Sequence, residues 1–329
     1  TMGRAARAVK STEKEFMRSA RQMESVGRHW TTGVTAPIMA GLAIVTKAAV
    51  DWEDAFAGVS KSVDGTTGQM LELDESLKDL TERVPLAHRE IATIAESAGQ
   101  LGIQTDNVIE FTETMAKVGA TTTMSAEAAG TGFAQIDNIM QTGQKSFERY
   151  GSTALALGNN LATTEQKVVD FSLNIAGAGK IAGLSEAQVM AIGGAFGSVG
   201  IEAQAGGTAV SKVLIGMTEA VSTGNKNLKM FAATAGMSTA EFSAAWKEDA
   251  GKAFTRFVEG LGYSGNQAFG ILKNLGLSDQ RLIRGFLSVA GAGDLLSKSM
   301  RIGSKAWEEN TYLSEKAAKR FKTVAARLK

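Results

Sequence analysis

The sequence predicts an all-α protein, built of many short helices with glycine-rich connections and flanked by longer amphipathic helices at the N and C termini. Helix-capping patterns recur along the chain. Glycines fall at or near the ends of apolar-periodic runs, where helices commonly stop. No stretch of useful length shows the period-two alternation, rich in β-branched and aromatic residues, that is typical of a strand. These observations predict a dozen or so short helices.

Composition limits the chemistry that the chain can perform. Its 329 residues are 44% hydrophobic and 21% charged, a balance that allows a buried core. The chain has 37 Gly, two Pro and no Cys, so disulfide frameworks, thiolate metal sites and cysteine nucleophiles are excluded. The two histidines, His29 and His88, lie far apart in sequence, and a histidine-built metal site would need carboxylates as well. We expect no metal and no cofactor.

Charge is distributed unevenly along the chain. Residues 1–30 carry seven Lys or Arg against three Glu, and residues 297–329 carry nine against three. These ends contribute +4 and +6 to a total of +1, which leaves −9 for the residues between them. The pattern predicts three zones: a basic N-terminal helix with an apolar helical segment at 1–50, a core region at 51–296 and a basic C-terminal helix at 297–329.

The N-terminal helix carries a heptad-spaced apolar stripe. Val9, Phe16, Met23 and Trp30 lie seven residues apart, which places them on one face. This stripe is a candidate seam between copies of the chain in a coiled coil. The alternative is a single amphipathic helix packed on the core.

The segment from Val34 to Val50 is apolar and contains one charged residue, Lys47. It is shorter than the roughly 20 apolar residues of a membrane-spanning helix. We expect a buried or oligomer-facing helix. A transmembrane helix and conditional insertion into a membrane are the alternatives.

Several helix boundaries can be predicted from local patterns. Capping boxes are predicted at Thr163 with Gln166, Ser185 with Gln188, and Ser238 with Glu241. Further N-caps are predicted at Ser278 with Asp279 and at Thr105 with Asp106. C-terminal caps are predicted at Gly119, Gly158, Gly183, Gly200, Gly236, Gly276 and Gly291.

Close helix packing is predicted by the Gly-x-x-x-Gly pairs Gly179 with Gly183 and Gly193 with Gly197. The C-terminal stripe of Ala317, Phe321, Val324 and Leu328 predicts an exposed basic helix.

No pattern nominates an active site. Gly177, Gly179 and Ala182 have the G-x-G-x-x-A spacing of a dinucleotide site, with Glu202 further along, but a predicted helix precedes them where that fingerprint requires a strand. The acidic pairs Asp51 with Asp54 and Glu308 with Glu309 sit beside tryptophans, but glycosidase carboxylates are recognised by their separation in space. We therefore predict no catalytic, cofactor-binding or metal-binding residues and no enzyme activity.

Ordered segments of the chain carry a resemblance to a known family. They are DWEDAFAGVSKSVDGTTGQ from Asp51, LKDLTERVPLAHREIATIAESAGQLGI from Leu77, GSTALALGNNLATTE from Gly151 and GAGKIAGLSEAQVMAIGGAFGSVGIEAQAGGTAVSKVL from Gly177, then FAATAGMSTAEFSAAW from Phe231 and AWEEN from Ala306. In this order they resemble the core region of phage tail tape measure proteins of the TP901 type. The family has a Gly-Ile-x-x-x-x-Gly-Gly-Thr-Ala element between two helices. It is matched by Gly200, Ile201, Gly206, Gly207, Thr208 and Ala209.

The resemblance implies a structural protein that occupies the lumen of the tail tube or tip, templates tail assembly and length, and leaves ahead of the DNA. It implies a homo-oligomer, with a trimer favoured, and as partners the tail tube proteins, the tail tip or baseplate proteins and the tail assembly chaperones. Transient contacts with the host membrane and with phage DNA are also implied. Because tape measure proteins are commonly longer, we expect this chain to be a fragment or a processed form. The alternatives are a membrane-active pore or channel and a fragment of a cell-wall-degrading enzyme.

Overall fold

The computed structural model describes residues 51–277 and 279–328. The chain divides into two compact units, Thr1–Ala57 and Gly58–Lys329. Residues 51–62 are helical. In the described part of the first unit, Trp52 and Phe56 stack one turn apart, with ring centroids separated by 6.1 Å.

The second unit is a helical assembly, and none of its described residues forms a strand. This confirms the all-α prediction. The helices in chain order are α1 (Thr67–Arg83), α2 (His88–Gln100), α3 (Val108–Thr121), α4 (Ala126–Met140), α5 (Phe147–Asn160), α6 (Glu165–Ala182), α7 (Glu186–Ser198), α8 (Ala203–Thr223), α9 (Lys226–Thr234), α10 (Thr239–Glu248), α11 (Ala250–Tyr263), α12 (Gln267–Asn274), α13 (Gln280–Ala290), α14 (Leu295–Glu309) and α15 (Tyr312–Leu328), with a 3-10 turn at Thr105–Asn107.

Helix α6 lies at the centre of this unit, packed against α4, α5, α7 and α8. Its Phe171 ring lies 5.4 Å from Phe196 of α7, which in turn meets Phe286 of α13 edge to face at 5.1 Å. All three rings are fully buried. A second aromatic group in α9 to α11 centres on Phe231, which lies 5.4 Å from Phe257. Burial of each such side chain contributes roughly 1.5–3 kcal/mol to folding.

The predicted capping boxes are largely observed. Ser185 and Ser238 each accept a hydrogen bond from the backbone N–H three residues on, and the side chains of Gln188 and Glu241 accept one in return. The predicted box at Thr163 is wrong by one residue. Thr164 caps α6, because its hydroxyl accepts the hydrogen bond from the Lys167 N–H.

Two further N-cap predictions had different outcomes. Asp279, the second residue of the predicted Ser278–Asp279 pair, caps α13 by accepting from the backbone N–H of Arg281, whereas Ser278 lies outside the described residues. Thr105 begins the 3-10 turn rather than capping a helix. Its hydroxyl instead donates to the carbonyl of Asp64, in the loop before α1.

The glycines predicted to end helices fall into two groups. A positive φ at or next to a helix end is observed at Gly183, Gly200, Gly236 and Gly276. The left-handed conformation is not observed at Gly119, Gly158 and Gly291. Gly119 and Gly158 lie inside α3 and α5, two residues before the helix ends, and Gly291 is the C-cap of α13 as predicted but has a φ of −80°. Gly158 instead leaves room for a neighbouring side chain, since a Cβ there would lie 2.8 Å from the Glu165 carboxyl carbon.

Both glycines of one Gly-x-x-x-Gly pair lie where neighbouring parts of the chain pack closely against the helix. A Cβ at Gly193 would lie 2.8 Å from the Val168 carbonyl oxygen, and one at Gly197 would lie 2.7 Å from Thr163 Oγ1. In the other pair, Gly179 packs against Val189 but Gly183 adopts the left-handed cap conformation. Small residues thus let α7 approach α6 closely.

Residues 297–329 contain most of α14 and the described part of α15, which is two helices where the sequence predicts one. Ala317 of the predicted stripe is buried, whereas Lys316, Lys319 and Lys322 are exposed. The predicted seam of Val9, Phe16, Met23 and Trp30 and the segment Val34 to Val50 lie outside the described residues. Among the helices that the structure does describe, none combines the length and apolar character needed to cross a membrane.

Candidate functional site

The family element begins in the connection between α7 and α8. Gly200 has a φ of +77°, a left-handed conformation that glycine adopts without strain. Ile201 follows, and its side chain lies against Gly285 of α13, where a Cβ would be 3.0 Å from the Ile201 Cδ1. The exposed Glu202 occupies the N-cap position of α8 without a side-chain capping bond. The loop therefore turns the chain and inserts one apolar side chain against α13.

The remaining part of the element lies in the first turns of α8. A Cβ at Gly206 would lie 2.6 Å from Ile201 Cγ2 and 2.7 Å from Phe171 Cε2. A Cβ at Gly207 would lie 2.5 Å from the Cβ of Asn174. The two glycines thus let α8 lie directly on α6, which places the turn of Ile201 on the core.

Thr208 and Ala209 complete the element inside α8. The exposed Thr208 donates its hydroxyl to the carbonyl of Gln204, and Ala209 is buried. Only Gly200 and Ile201 of the predicted site residues lie between helices, so the expectation that the whole element does is wrong. The cause is that α8 begins at Ala203, ahead of the glycine pair. The element brings together packing surfaces, with no array of charged or nucleophilic groups.

A partly buried polar cluster joins α4, the loop that follows it, α5 and α7. Thr142 donates its hydroxyl to Glu186 Oε1 at 2.7 Å. Since this uses the threonine proton, the Tyr150 hydroxyl, 2.9 Å away, donates to Thr142 Oγ1. Tyr150 is completely buried, and its ring meets Trp307 of α14 edge to face at 4.9 Å. The cluster thus connects the middle of the fold to its C-terminal helices.

Asp137 of α4 lies beside this cluster and is buried. Its carboxylate accepts a hydrogen bond from the backbone N–H of Gly143, while Oδ1 has no hydrogen-bond partner. Burial raises the pKa of Asp137, the Gly143 hydrogen bond opposes this, and the nearby charge of Glu186 raises it further. Burial also raises the pKa of Tyr150 above its ordinary value.

The cluster can hold a proton on Asp137, but no nucleophile is paired with a base in it. Among the residues that the structure describes, no three His, Asp or Glu side chains are placed to hold a metal ion. Sequence reasoning missed the cluster because its members are as far apart as Asp137 and Glu186. An ionisable residue on the apolar face of α4, between Phe133 and Met140, was the available signal.

Polar contacts attach α15 to α3 and α5. The buried Ser152 hydroxyl accepts from the backbone N–H of Leu313 at 3.1 Å. Lys117 donates to Ser314 Oγ at 3.1 Å, and Ser314 donates to Glu148. Lys117 also forms an ion pair with Glu113 at 3.0 Å. A glycine at position 151 accommodates Leu313, whose Cδ2 would lie 2.7 Å from a Cβ there.

The surface of the second unit has two clefts near its C-terminal helices. One of about 430 Å³ lies between α11 and α14, and its acidic residues Asp249 and Glu259 are engaged by Gln188 and Ser297. The other, of about 840 Å³, lies beside α15. It is lined on the α15 side by Tyr312, Lys316, Lys319, Arg320 and Thr323 and on the other side by residues of α3, α5 and α6 that include Asn159 and Glu165.

The acidic pairs considered from the sequence form no site. Asp51 and Asp54 are exposed, and so are Glu308 and Glu309. Gly177 and Gly179 of the fingerprint-like spacing lie inside α6, which continues to Ala182. A helix therefore occupies the position where a dinucleotide site needs a strand and a turn.

Comparison with known proteins identifies the family of this chain. A family model for phage-related minor tail proteins matches residues 74–315. The chain belongs to this family. A probable tape measure protein of Halomonas phage phiHAP-1 is 25% identical over 191 residues, which are 54% of this chain and 22% of that protein. The chain thus spans about a fifth of the length of this relative. No solved structure matches it.

In this minor tail protein the matched region runs from within α1 into α15. It therefore contains the turn at Gly200, the Asp137 cluster and the attachment of Leu313 to Ser152. Each of these features joins helices to one another. The narrower assignment to the TP901 type stays a prediction.

Proposed function

We propose that the chain is part of a tape measure protein, a non-enzymatic structural component of the phage tail that occupies the tube or tip lumen. The observation that carries this proposal is the family match over 74–315, and the similarity to the Halomonas phage protein supports it. Many polar groups of the described residues take part in helix caps and in hydrogen bonds between helices, which suits a protein that acts through shape.

The role in setting length applies to the protein as a whole. A helix rises about 1.5 Å per residue, so an extended helical segment can convert residue number into length. Residues 58–328, by contrast, fold back repeatedly as short packed helices. We infer that this region forms a compact body within the longer protein and that tail length is set by other segments.

The partners follow from this role. We propose association with further copies, with a trimer as the favoured state, and with tail tube, tail tip or baseplate proteins and tail assembly chaperones. Release ahead of the DNA, with transient contact to DNA and to the host envelope, belongs to the same proposal.

An in-frame deletion of residues 58–328 in the phage or prophage tests the proposal. We expect particles that lack tails when lysates are imaged by negative-stain electron microscopy, because the compact body is then missing from the protein that templates tail assembly. A matched control is Gly177→Ala, at an exposed position of α6 with no neighbour within 4 Å of the added Cβ. Infective particles with tails of normal, uniform length after the deletion would contradict the proposed role. Mass spectrometry of purified tails should also detect peptides from α5 to α8.

A further inference from the structure

The connection between α14 and α15 is short and strained. Asn310 ends α14 with φ +50° and ψ +30°, a left-handed conformation. Its side-chain Oδ1 is buried and has no hydrogen-bond partner. The left-handed conformation is strained for a residue other than glycine, and asparagine usually offsets part of this strain by a local hydrogen bond. Asn310 therefore holds the turn at a cost that a straight helix would not carry.

The buried stripe keeps the same phase on both sides of this turn. On α14 the buried residues are Leu296, Ser299, Gly303 and Ala306, and on α15 they are Leu313 and Ala317. The spacings alternate three and four, and Asn310 occupies the one position missing between Ala306 and Leu313. A single helix through Asn310 would thus carry one unbroken heptad stripe.

The attachment of α15 depends on few apolar contacts. Among its side chains up to Thr323, the fully buried apolar ones are Leu313 and Ala317. Beyond Leu313 the cleft of about 840 Å³ separates part of α15 from α3 and α5. The same surface of α3 and α5 supplies the specific polar partners of α15, namely Ser152, Lys117 and Glu148.

We propose that this surface is also the docking site for a second copy of the chain, which exchanges α15. In the exchanged dimer α14 and α15 straighten at Asn310 into one helix of 34 residues, about 50 Å long. Each α15 then lies between α3 and α5 of the other copy and makes the contacts it makes here within one chain. Short hinges under strain favour such exchange.

The occupant is a second copy because the surface already fits this helix. The Ser152 hydroxyl accepts the N–H of Leu313, and Gly151 leaves the space that the Leu313 side chain fills. Exchange therefore loses none of these contacts and releases two left-handed Asn310 residues per dimer. The inference concerns an exchanged dimer of the isolated chain, and it stands apart from the trimer proposed for the protein in the tail.

Substitutions at Asn310 test the exchange. Asn310→Ala favours the straight helix, so we expect the dimerisation constant, measured by analytical ultracentrifugation, to rise about tenfold for each of the two hinges. Asn310→Gly relieves the strain of the turn and should lower the dimer fraction below that of the unsubstituted chain. Circular dichroism should show similar helix content in all three proteins. Equal dimer fractions for the two variants would contradict the proposal.

A cross-linking experiment identifies which contact joins the copies. The chain has no cysteine, so Asn159→Cys and Thr323→Cys introduce single thiols on opposite sides of the cleft beside α15. After the two singly substituted chains are mixed and incubated, a flexible bis-maleimide should join them to each other. A third chain, Ser288→Cys on exposed α13, should join neither. Absence of the mixed product at all concentrations would overturn the proposal whatever the Asn310 variants do.

Discussion

The hydroxyl of Ser152 in α5 accepts a hydrogen bond from the backbone N–H of Leu313 in α15 at 3.1 Å, where both residues are buried. Leu313 lies in the first turn of α15, whose N–H groups have no partner within the helix. This single hydroxyl therefore satisfies a backbone group that water cannot reach, and it fixes where α15 meets α5.

Ser152→Ala should destabilise the fold by about 1–3 kcal/mol, because it leaves a buried N–H unpaired. Urea denaturation measures this loss, and hydrogen exchange should show faster exchange in α15 than in α7. The control is Ser288→Ala, which removes an exposed hydroxyl that donates to Arg284 within α13. Equal stability of the two variants would contradict the importance of the Leu313 contact.

Asp137→Asn should change the pH dependence of stability. The pKa of Asp137 is raised in the folded state, so the folded chain binds more protons than the unfolded chain. The contribution of Asp137 to the free energy of unfolding is therefore complete below the unfolded pKa, near 3.8. This contribution is lost as pH rises through the folded pKa, with a slope of up to about 1.4 kcal/mol per pH unit. The Asn variant should lack this pH-dependent loss, so the difference in unfolding free energy in favour of the Asn variant should grow from about pH 4 to pH 7.

Glu241→Gln is the matched control for this measurement because its pKa is shifted the other way. Hydrogen bonds from Ser238 lower the pKa of Glu241. Its stabilising effect is present above the unfolded pKa and is lost as pH falls through the folded pKa. Urea titrations from pH 3 to pH 8 should therefore show opposite changes in slope for the two variants. The same sign for both would contradict the assigned cause at Asp137.

The sequence predicted the features that depend on local physics. Ser185 with Gln188 and Ser238 with Glu241 form capping boxes because all of their groups lie within one helical turn. The all-α class follows for the same reason, since many such local signals agree. The error at Thr163 is one residue, and a neighbouring threonine offers the same hydroxyl.

The features that depend on a partner helix could not be predicted from one sequence. Gly158 looked like a helix end, but its lack of a side chain serves Glu165 in the next helix. Asp137 lies in α4 and Glu186 begins α7, so only the tertiary packing of the helices brings their charges together. The candidate site was thus predictable at the turn of Gly200, and its packing partners Phe171 and Asn174 were not.

Gly206→Ala and Gly207→Ala should each destabilise the fold by about 1–3 kcal/mol, although alanine favours a helix by about 1 kcal/mol. Each added Cβ would lie within 2.7 Å of an atom in the Ile201, Phe171 or Asn174 side chain. Gly177→Ala in α6 is the control, because nothing lies within 4 Å of its Cβ, and it should be neutral or stabilising. Thermal denaturation compares the three. Similar midpoints for all of them would show that α8 moves away from α6 at little cost.

Gly260→Ala should be the most damaging glycine substitution in the described residues. A Cβ there would lie 1.7 Å from the carbonyl oxygen of Thr234, at the end of α9. Backbone cannot rotate away as a side chain can, so α11 and α9 must separate and expose Phe231 and Phe257, which lie 5.4 Å apart. We expect a loss of more than about 3 kcal/mol, or failure to fold. The control Gly270→Ala in α12 meets no atom within 4 Å and should fold normally. Comparison of soluble yield and urea midpoints decides the matter, and a stable Gly260→Ala protein would mean that α9 and α11 pack less closely than described.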